Sequence, residues 1–229
     1  MNFILKKAIS AIGIIGVLSG HWAMAAASES SNVIHPEKMN VFFSDIQPSA
    51  WYYDDVAKIV KSGIMKGKSK NTFDPEGKVT YAELAQILKN LQVPDASDRC
   101  PEYTDVPSGT WYTDIAISYG AYLPFHYDRV NDAIVFWPDF AADRGDVAYT
   151  LLQAFGHDES YMDETYMELT GERIIGWKRY PDAAAYILAN KGIISGYANG
   201  ELGEYDKVSR AQCAAIINRF LDAVENGSL

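Results

Sequence analysis

Val79-Thr80-Tyr81-Ala82-Glu83 returns as Ala142-Asp143-Arg144-Gly145-Asp146 and again as Val208-Ser209-Arg210-Ala211-Gln212, at intervals of 63 and 66 residues. In each copy a capping side chain (Thr80, Asp143, Ser209) stands three residues before a second hydrogen-bonding one (Glu83, Asp146, Gln212). Such a pair satisfies backbone N–H groups that a helix start leaves without partners, so each copy predicts a helix N-terminus, with a capping box in the first and third and an acidic variant in the second. Behind each start runs an apolar stripe: Leu84, Ile87, Leu88 and Leu91, then Val147, Leu151, Leu152 and Phe155, then Cys213, Ile216, Ile217, Phe220 and Leu221. A two-helix unit cannot bury such a face alone, so three stripes in one chain most simply pack against one another.

Further markers repeat around these starts. Phe43-Ser44-Asp45-Ile46 with Trp51-Tyr52 recurs as Tyr103-Thr104-Asp105-Val106 with Trp111-Tyr112, and six residues separate the aspartate from the tryptophan both times. Gly63-Ile64-Met65-Lys66-Gly67 returns as Gly192-Ile193-Ile194-Ser195-Gly196, with Gly120-Ala121-Tyr122-Leu123-Pro124 in the middle copy. Phe73-Asp74-Pro75, Phe136-Trp137-Pro138 and Leu202-Gly203-Glu204 precede the three caps. From Asp54 to Ser62 the spacing of Val56, Ile59 and Val60 predicts a short amphipathic helix, and Gly63 supplies a left-handed stop. Prolines and glycines such as those from Lys66-Gly67 to Pro75-Glu76-Gly77 predict loops between the helices. The fold expected is mainly α: three helix-loop-helix repeats at 42–93, 103–156 and 174–223 forming a pseudo-threefold helical bundle with long loops, and an acidic linker at 157–173.

Lys6 and Lys7, the apolar run from Ala8 to Leu18 and Ala23-Met24-Ala25 have the form of a cleaved export signal over residues 1–25, with a flexible segment at 26–41. The run is shorter than the roughly 20 residues that span a bilayer, so no transmembrane segment is expected after cleavage. The chain has 20 basic and 30 acidic residues, and loss of the two signal lysines leaves 18 against 30, a net charge of −12. Such a chain repels nucleic acid, and any anionic glycan must be held by local cationic pockets against the bulk field. An oxidising compartment permits a Cys100–Cys213 disulfide, but sequence does not supply the short separation one requires; Cys213, within an apolar stripe, reads as a buried thiol.

The ordered set of an export signal, aromatic-x-Asp-aliphatic, Trp, Gly-Ile-x-x-Gly, Phe-x-Pro and a capped helix start resembles the S-layer homology family, across nearly all of the chain after residue 41. The resemblance implies a pseudo-trimeric bundle whose inter-repeat grooves bind secondary cell-wall polysaccharide, commonly pyruvylated. It also implies a protein at the cell wall or S-layer that attaches non-covalently and is not an enzyme. The motif arginine carries over to Arg144 and Arg210, while Tyr81 stands in its place in the first repeat. The repeat aspartates are Asp45 and Asp105, and the tryptophans Trp51 and Trp111, with Tyr180 as the third counterpart. A guanidinium at a helix start suits a pyruvyl carboxylate, and indoles offer flat faces to sugar C–H groups. Leu202 and Glu204 replace the usual aromatic and proline in the third repeat, and the second is enlarged from His126 to Ala133, so one or two working grooves are expected.

Each of these residues also has a ligand-free explanation. Asp45 and Asp105 can stabilise turns, Trp51 and Trp111 can be core, and Arg144 and Arg210 can pair with acids. Asp158 to Glu164 lacks the pattern of a calcium loop, the histidines lack zinc spacing, and neither metal nor cofactor is expected. No nucleophile elbow, phosphate loop or His-Glu-x-x-His is present, and the repeats leave little chain for a catalytic domain. A protein-interaction scaffold with decayed glycan sites is the alternative, and a protein partner fits either reading.

Overall fold

The computed structural model describes residues 43–176 and 179–229, so the expected signal (1–25) and flexible segment (26–41) lie outside the described residues. The described chain is mainly helical: α1 Tyr53–Lys61, α2 Tyr81–Asn90, α3 Thr113–Tyr119, a 3-10 turn Gly120–Tyr122, α4 Arg144–Ala154, α5 Glu159–Thr170, α6 Tyr180–Asn190 and α7 Arg210–Glu225. Between the 3-10 turn and α4, His126–Asp128 (β1) and Ala133–Val135 (β2) form an antiparallel hairpin, with Tyr127 opposite Ile134. This hairpin accounts for the enlargement noted in the sequence from His126 to Ala133.

All three expected capping boxes form. The side chains of Thr80, Asp143 and Ser209 accept from the amides of Glu83, Asp146 and Gln212 at 3.3, 3.0 and 3.2 Å, and each of those three side chains accepts from its cap's own amide in return. The residues just before the caps meet in a closed ring: Val79 N–H donates to Val208 O (3.3 Å), Val208 N–H to Ala142 O (3.0 Å) and Ala142 N–H to Val79 O (2.8 Å). All three side chains are fully buried. The next free amides follow the same order. Tyr81 and Ala82 donate to Phe140 and Pro138, Arg144 and Gly145 to Asp206 and Glu204, and Arg210 and Ala211 to Gly77 and Pro75. Each of α2, α4 and α7 therefore has its unpaired N-terminal amides satisfied by the loop leading into the next of the three.

Helix packing follows the same exchange. The main contacts are α1 on α7, α3 on α2 and α6 on α4, so each short first helix lies on the capped helix of another segment. One contiguous core results, and it includes the edge-on pair Phe155 and Phe220, with ring centres 5.1 Å apart.

One feature differs from the sequence reading, and two that it left open are settled. Residues 157–173, expected as a solvated linker, contain a capped helix: Asp158 accepts from Tyr161 N (3.0 Å), Met162 is fully buried, α5 packs on α6, and Gly171 ends it at φ 77°. Gly63 and Gly192 adopt the left-handed conformation at φ 75° and 71°, but Gly120 does not, at φ −60°. Gly120 is needed for space instead, because a Cβ there would lie 2.5 Å from Tyr103 Oη. Cys100 and Cys213 are both free thiols, and complete burial pushes the Cys213 thiol up to about 12.

Truncating a large buried ring leaves a cavity that such a core cannot fully close. Phe220→Ala is expected to lower unfolding free energy by about 3–5 kcal/mol, read from urea denaturation with an unchanged slope.

Candidate functional site

Three helix starts meet the Gly-Ile-type loop of another segment, two of them beside a cavity, and their chemistry differs. At the first, Arg210 reaches from the start of α7 into the loop before α2. It is 5% exposed, donates from Nε to Phe73 O (2.8 Å) and from Nη2 to Lys66 O (2.5 Å), and lies over the Phe73 ring at 4.7 Å. Glu83 Oε1 lies 3.9 Å from its Nη1 and also pairs with Lys68. Burial pulls the Arg210 pKa down, while Glu83 opposes that shift. Lys66, Lys68, Glu83, Asn90 and Trp111 join Arg210 around a cavity of about 310 Å³. Three cations face one carboxylate there, the reverse of the chain's overall charge of −10.

Arg144, also 5% exposed, holds the corresponding place at the start of α4. Its Nη2 donates to Ser195 O (2.6 Å) and its guanidinium lies 5.3 Å from the Tyr197 ring centre. Its buried Nε has no hydrogen-bond partner, whereas that of Arg210 is held by Phe73 O.

Asp45 accounts for this contrast. Its carboxylate accepts from Phe73 N (2.9 Å) and Asp74 N (2.7 Å), which fixes the peptide whose carbonyl receives Arg210. Asp105 does the same for Phe136 N and Trp137 N, both at 2.7 Å. These bonds also hold Asp74 at φ 63° and Trp137 at φ 53°, a conformation unfavourable for a bulky residue. The third segment has no such aspartate and carries Gly203 at φ 67° instead. The two aspartates are thus long-range loop anchors rather than local turn-formers.

Trp51 and Trp111 are 62% and 61% exposed, which removes the core reading, and each packs edge-on against the tyrosine that follows it. Of the residues expected at a site, the structure brings Arg210 and Trp111 to one cavity and ties Asp45 to Arg210 through Phe73.

At the third region Tyr81 replaces the arginine. Its ring is fully buried, and its hydroxyl donates to Asp146 Oδ2 (3.0 Å) and receives His126 Nε2 at 2.6 Å. His126 in turn stacks on Trp137, with ring centres 4.8 Å apart. Burial first, and the nearby Asp143 carboxylate second, raise the Asp146 carboxyl from 3.8 to about 7. Sequence reasoning passed over this set because His126 and Trp137 lie far from Tyr81 along the chain. The substitution of Tyr81 for arginine was the only signal of it.

No described helix is long and apolar enough to cross a membrane, and among the described residues no group of three or more His, Cys, Asp or Glu could hold a metal. Residues 42–85 match the model of the S-layer homology domain. The chain carries an S-layer homology domain. It is 32% identical to a Surface-layer 125 kDa protein of Lysinibacillus sphaericus over 42% of its own length and 8% of that protein's. It is 26% identical to S-layer protein sap of Bacillus anthracis over 76% of its length, and 27% identical to an amylopullulanase of Thermoanaerobacterium thermosulfurigenes over 98%. It spans only 20% and 11% of those two proteins. An S-layer homology domain is a wall-anchoring module and not a catalytic one, and it places the chain at the cell surface in association with the cell wall.

Removing the Asp105 carboxylate leaves two backbone amides without their charged acceptor, so Asp105→Ala is expected to cost about 3 kcal/mol of stability in urea unfolding. The folded state holds the Asp146 proton more tightly than the unfolded chain does. Its contribution is therefore fully present below pH 3.8 and is lost as pH rises through about 7. Asp146→Asn is expected to flatten the fall in urea midpoint across that window.

Proposed function

We propose that the chain attaches non-covalently to the bacterial cell wall by binding secondary cell-wall polysaccharide in grooves between repeats, with the Arg210 groove as the principal site. The observation that carries this reading is the convergence of Lys66, Lys68 and Arg210 with the exposed Trp111 around one cavity in an otherwise acidic chain. An acidic sugar substituent such as a pyruvyl carboxylate is drawn to those cations, and a pyranose face lies against the indole. Two of Arg210's donors are spent on backbone carbonyls and hold it in place, so its role is a fixed positive charge at a helix start, with the two lysines adding mobile ones. Asp45 acts by positioning the loop. Arg144 marks a second, weaker groove, with Trp51 its counterpart of Trp111 by the repeat, since the loop before α7 lacks an aspartate anchor; Asp105 positions the loop of the third.

On this reading residues 103–156 and 174–223 are divergent S-layer homology repeats too, and the three form a pseudo-threefold bundle. The three capping boxes and the closed ring of Val79, Ala142 and Val208 support that view. The partner is pyruvylated polysaccharide and the chain itself has no catalytic role.

The test is a pull-down of the purified chain on isolated wall sacculi, before and after hydrofluoric acid strips the secondary polysaccharide. Binding is expected to vanish with the polysaccharide, to weaken about tenfold in Trp111→Ala, and to weaken further in Arg144→Ala/Arg210→Ala. Trp111 is exposed, so its loss spares the fold. Undiminished binding to stripped walls would overturn the proposal and favour a protein partner.

A further inference from the structure

The cavity beside Tyr81 measures about 630 Å³ against about 310 Å³ for the Arg210 cavity, and its charge is reversed. Asp143, Asp146, Glu159 and Asp182 line it, with Arg129 as the one lysine or arginine among its lining residues. Asp143 lies 3.7 Å from Lys207 and Asp146 is tied to Tyr81. Glu159 and Asp182 also line it, each receiving one tyrosine hydroxyl, Tyr149 at 3.2 Å and Tyr205 at 2.5 Å, and Arg179 lies near Asp182. Phe125, Trp137 and Tyr205 are exposed aromatics of the same cavity.

Aromatic faces beside carboxylates suit a saccharide, and the excess of negative charge selects against an acidic one. The geometry points to this groove as a binding site for a cationic amino sugar, a hexosamine whose nitrogen is a free ammonium, with Glu159 and Asp182 as the groups that receive the ammonium and Trp137 as the platform for the ring. An ammonium supplies three donors, which a pair of carboxylates can accept as charge-assisted hydrogen bonds. An N-acetylated sugar offers one neutral donor and adds bulk at the same atom. A pyruvylated sugar brings a carboxylate among four others. The replacement of the motif arginine by Tyr81 therefore changes what this groove binds, since a guanidinium in that place would cancel part of the field. This inference rests on the reading of the fold as glycan-binding, but it concerns a different groove and a ligand of opposite charge.

The test is calorimetric titration of the full chain with a glucosamine tetramer and, separately, with its fully N-acetylated counterpart, in slightly acid buffer. The free amine form is expected to bind at least about tenfold more tightly. Glu159→Gln/Asp182→Asn should abolish that preference, and Trp137→Ala should weaken both ligands. Retention of sacculus binding by the Glu159→Gln/Asp182→Asn variant shows that it is folded and separates this test from that of wall anchoring. Equal affinity for the two tetramers, no binding of either, or a preference that survives the double substitution would overturn the proposal.

Discussion

Three backbone hydrogen bonds, from Val79 to Val208, Val208 to Ala142 and Ala142 to Val79, hold together segments that lie more than sixty residues apart. Their geometry constrains everything around them. A backbone N–H at a fully buried position must find a partner, and each of these finds it in another segment. The capped helix that follows each ring member is thereby fixed in direction, and its first free amides meet the loop of the next segment. No one segment can complete its own helix start. The fold is therefore cooperative in a strict sense: removing one segment leaves orphaned donors in a second and orphaned acceptors in a third.

The same exchange creates the grooves. The first residue of each capped helix, Tyr81, Arg144 or Arg210, sends its side chain toward another segment's loop rather than its own. A single side chain at that position decides the chemistry of a groove whose walls come from elsewhere. With arginine and two lysines the wall is cationic; with tyrosine, and with Asp146 and Asp182 among the lining residues, it is acidic and aromatic. The chain's net charge says nothing about either, because local charges at a few ångströms outweigh a screened bulk field.

Much of the architecture was legible beforehand. The helix starts were readable because a capping box is a local device: the residue types three apart suffice, and all three boxes form as expected. The stop at Gly63, which Gly192 repeats, was legible for the same reason. Gly120 was not, since it serves a contact with Tyr103 that no local pattern reveals. The acidic run after His157 gave no helical signal from charge alone, yet with Asp158 as its cap it forms a helix that buries Met162 and packs Tyr166 on Tyr186 of α6.

The sequence by itself determined the repeat, the caps, the apolar stripes and the position at which arginine gives way to tyrosine, because each of these is written in residues a few places apart. Tertiary structure alone decided what the marked residues touch. Asp45 and Asp105 anchor loops some thirty residues away, Trp51 and Trp111 stand in solvent, and Tyr81 meets His126 and Asp146 across a segment boundary. The physical reason is that caps and stops depend on hydrogen bonds within one turn of chain. The grooves depend on a closed ring between segments, and its geometry follows from how three buried helix starts satisfy one another.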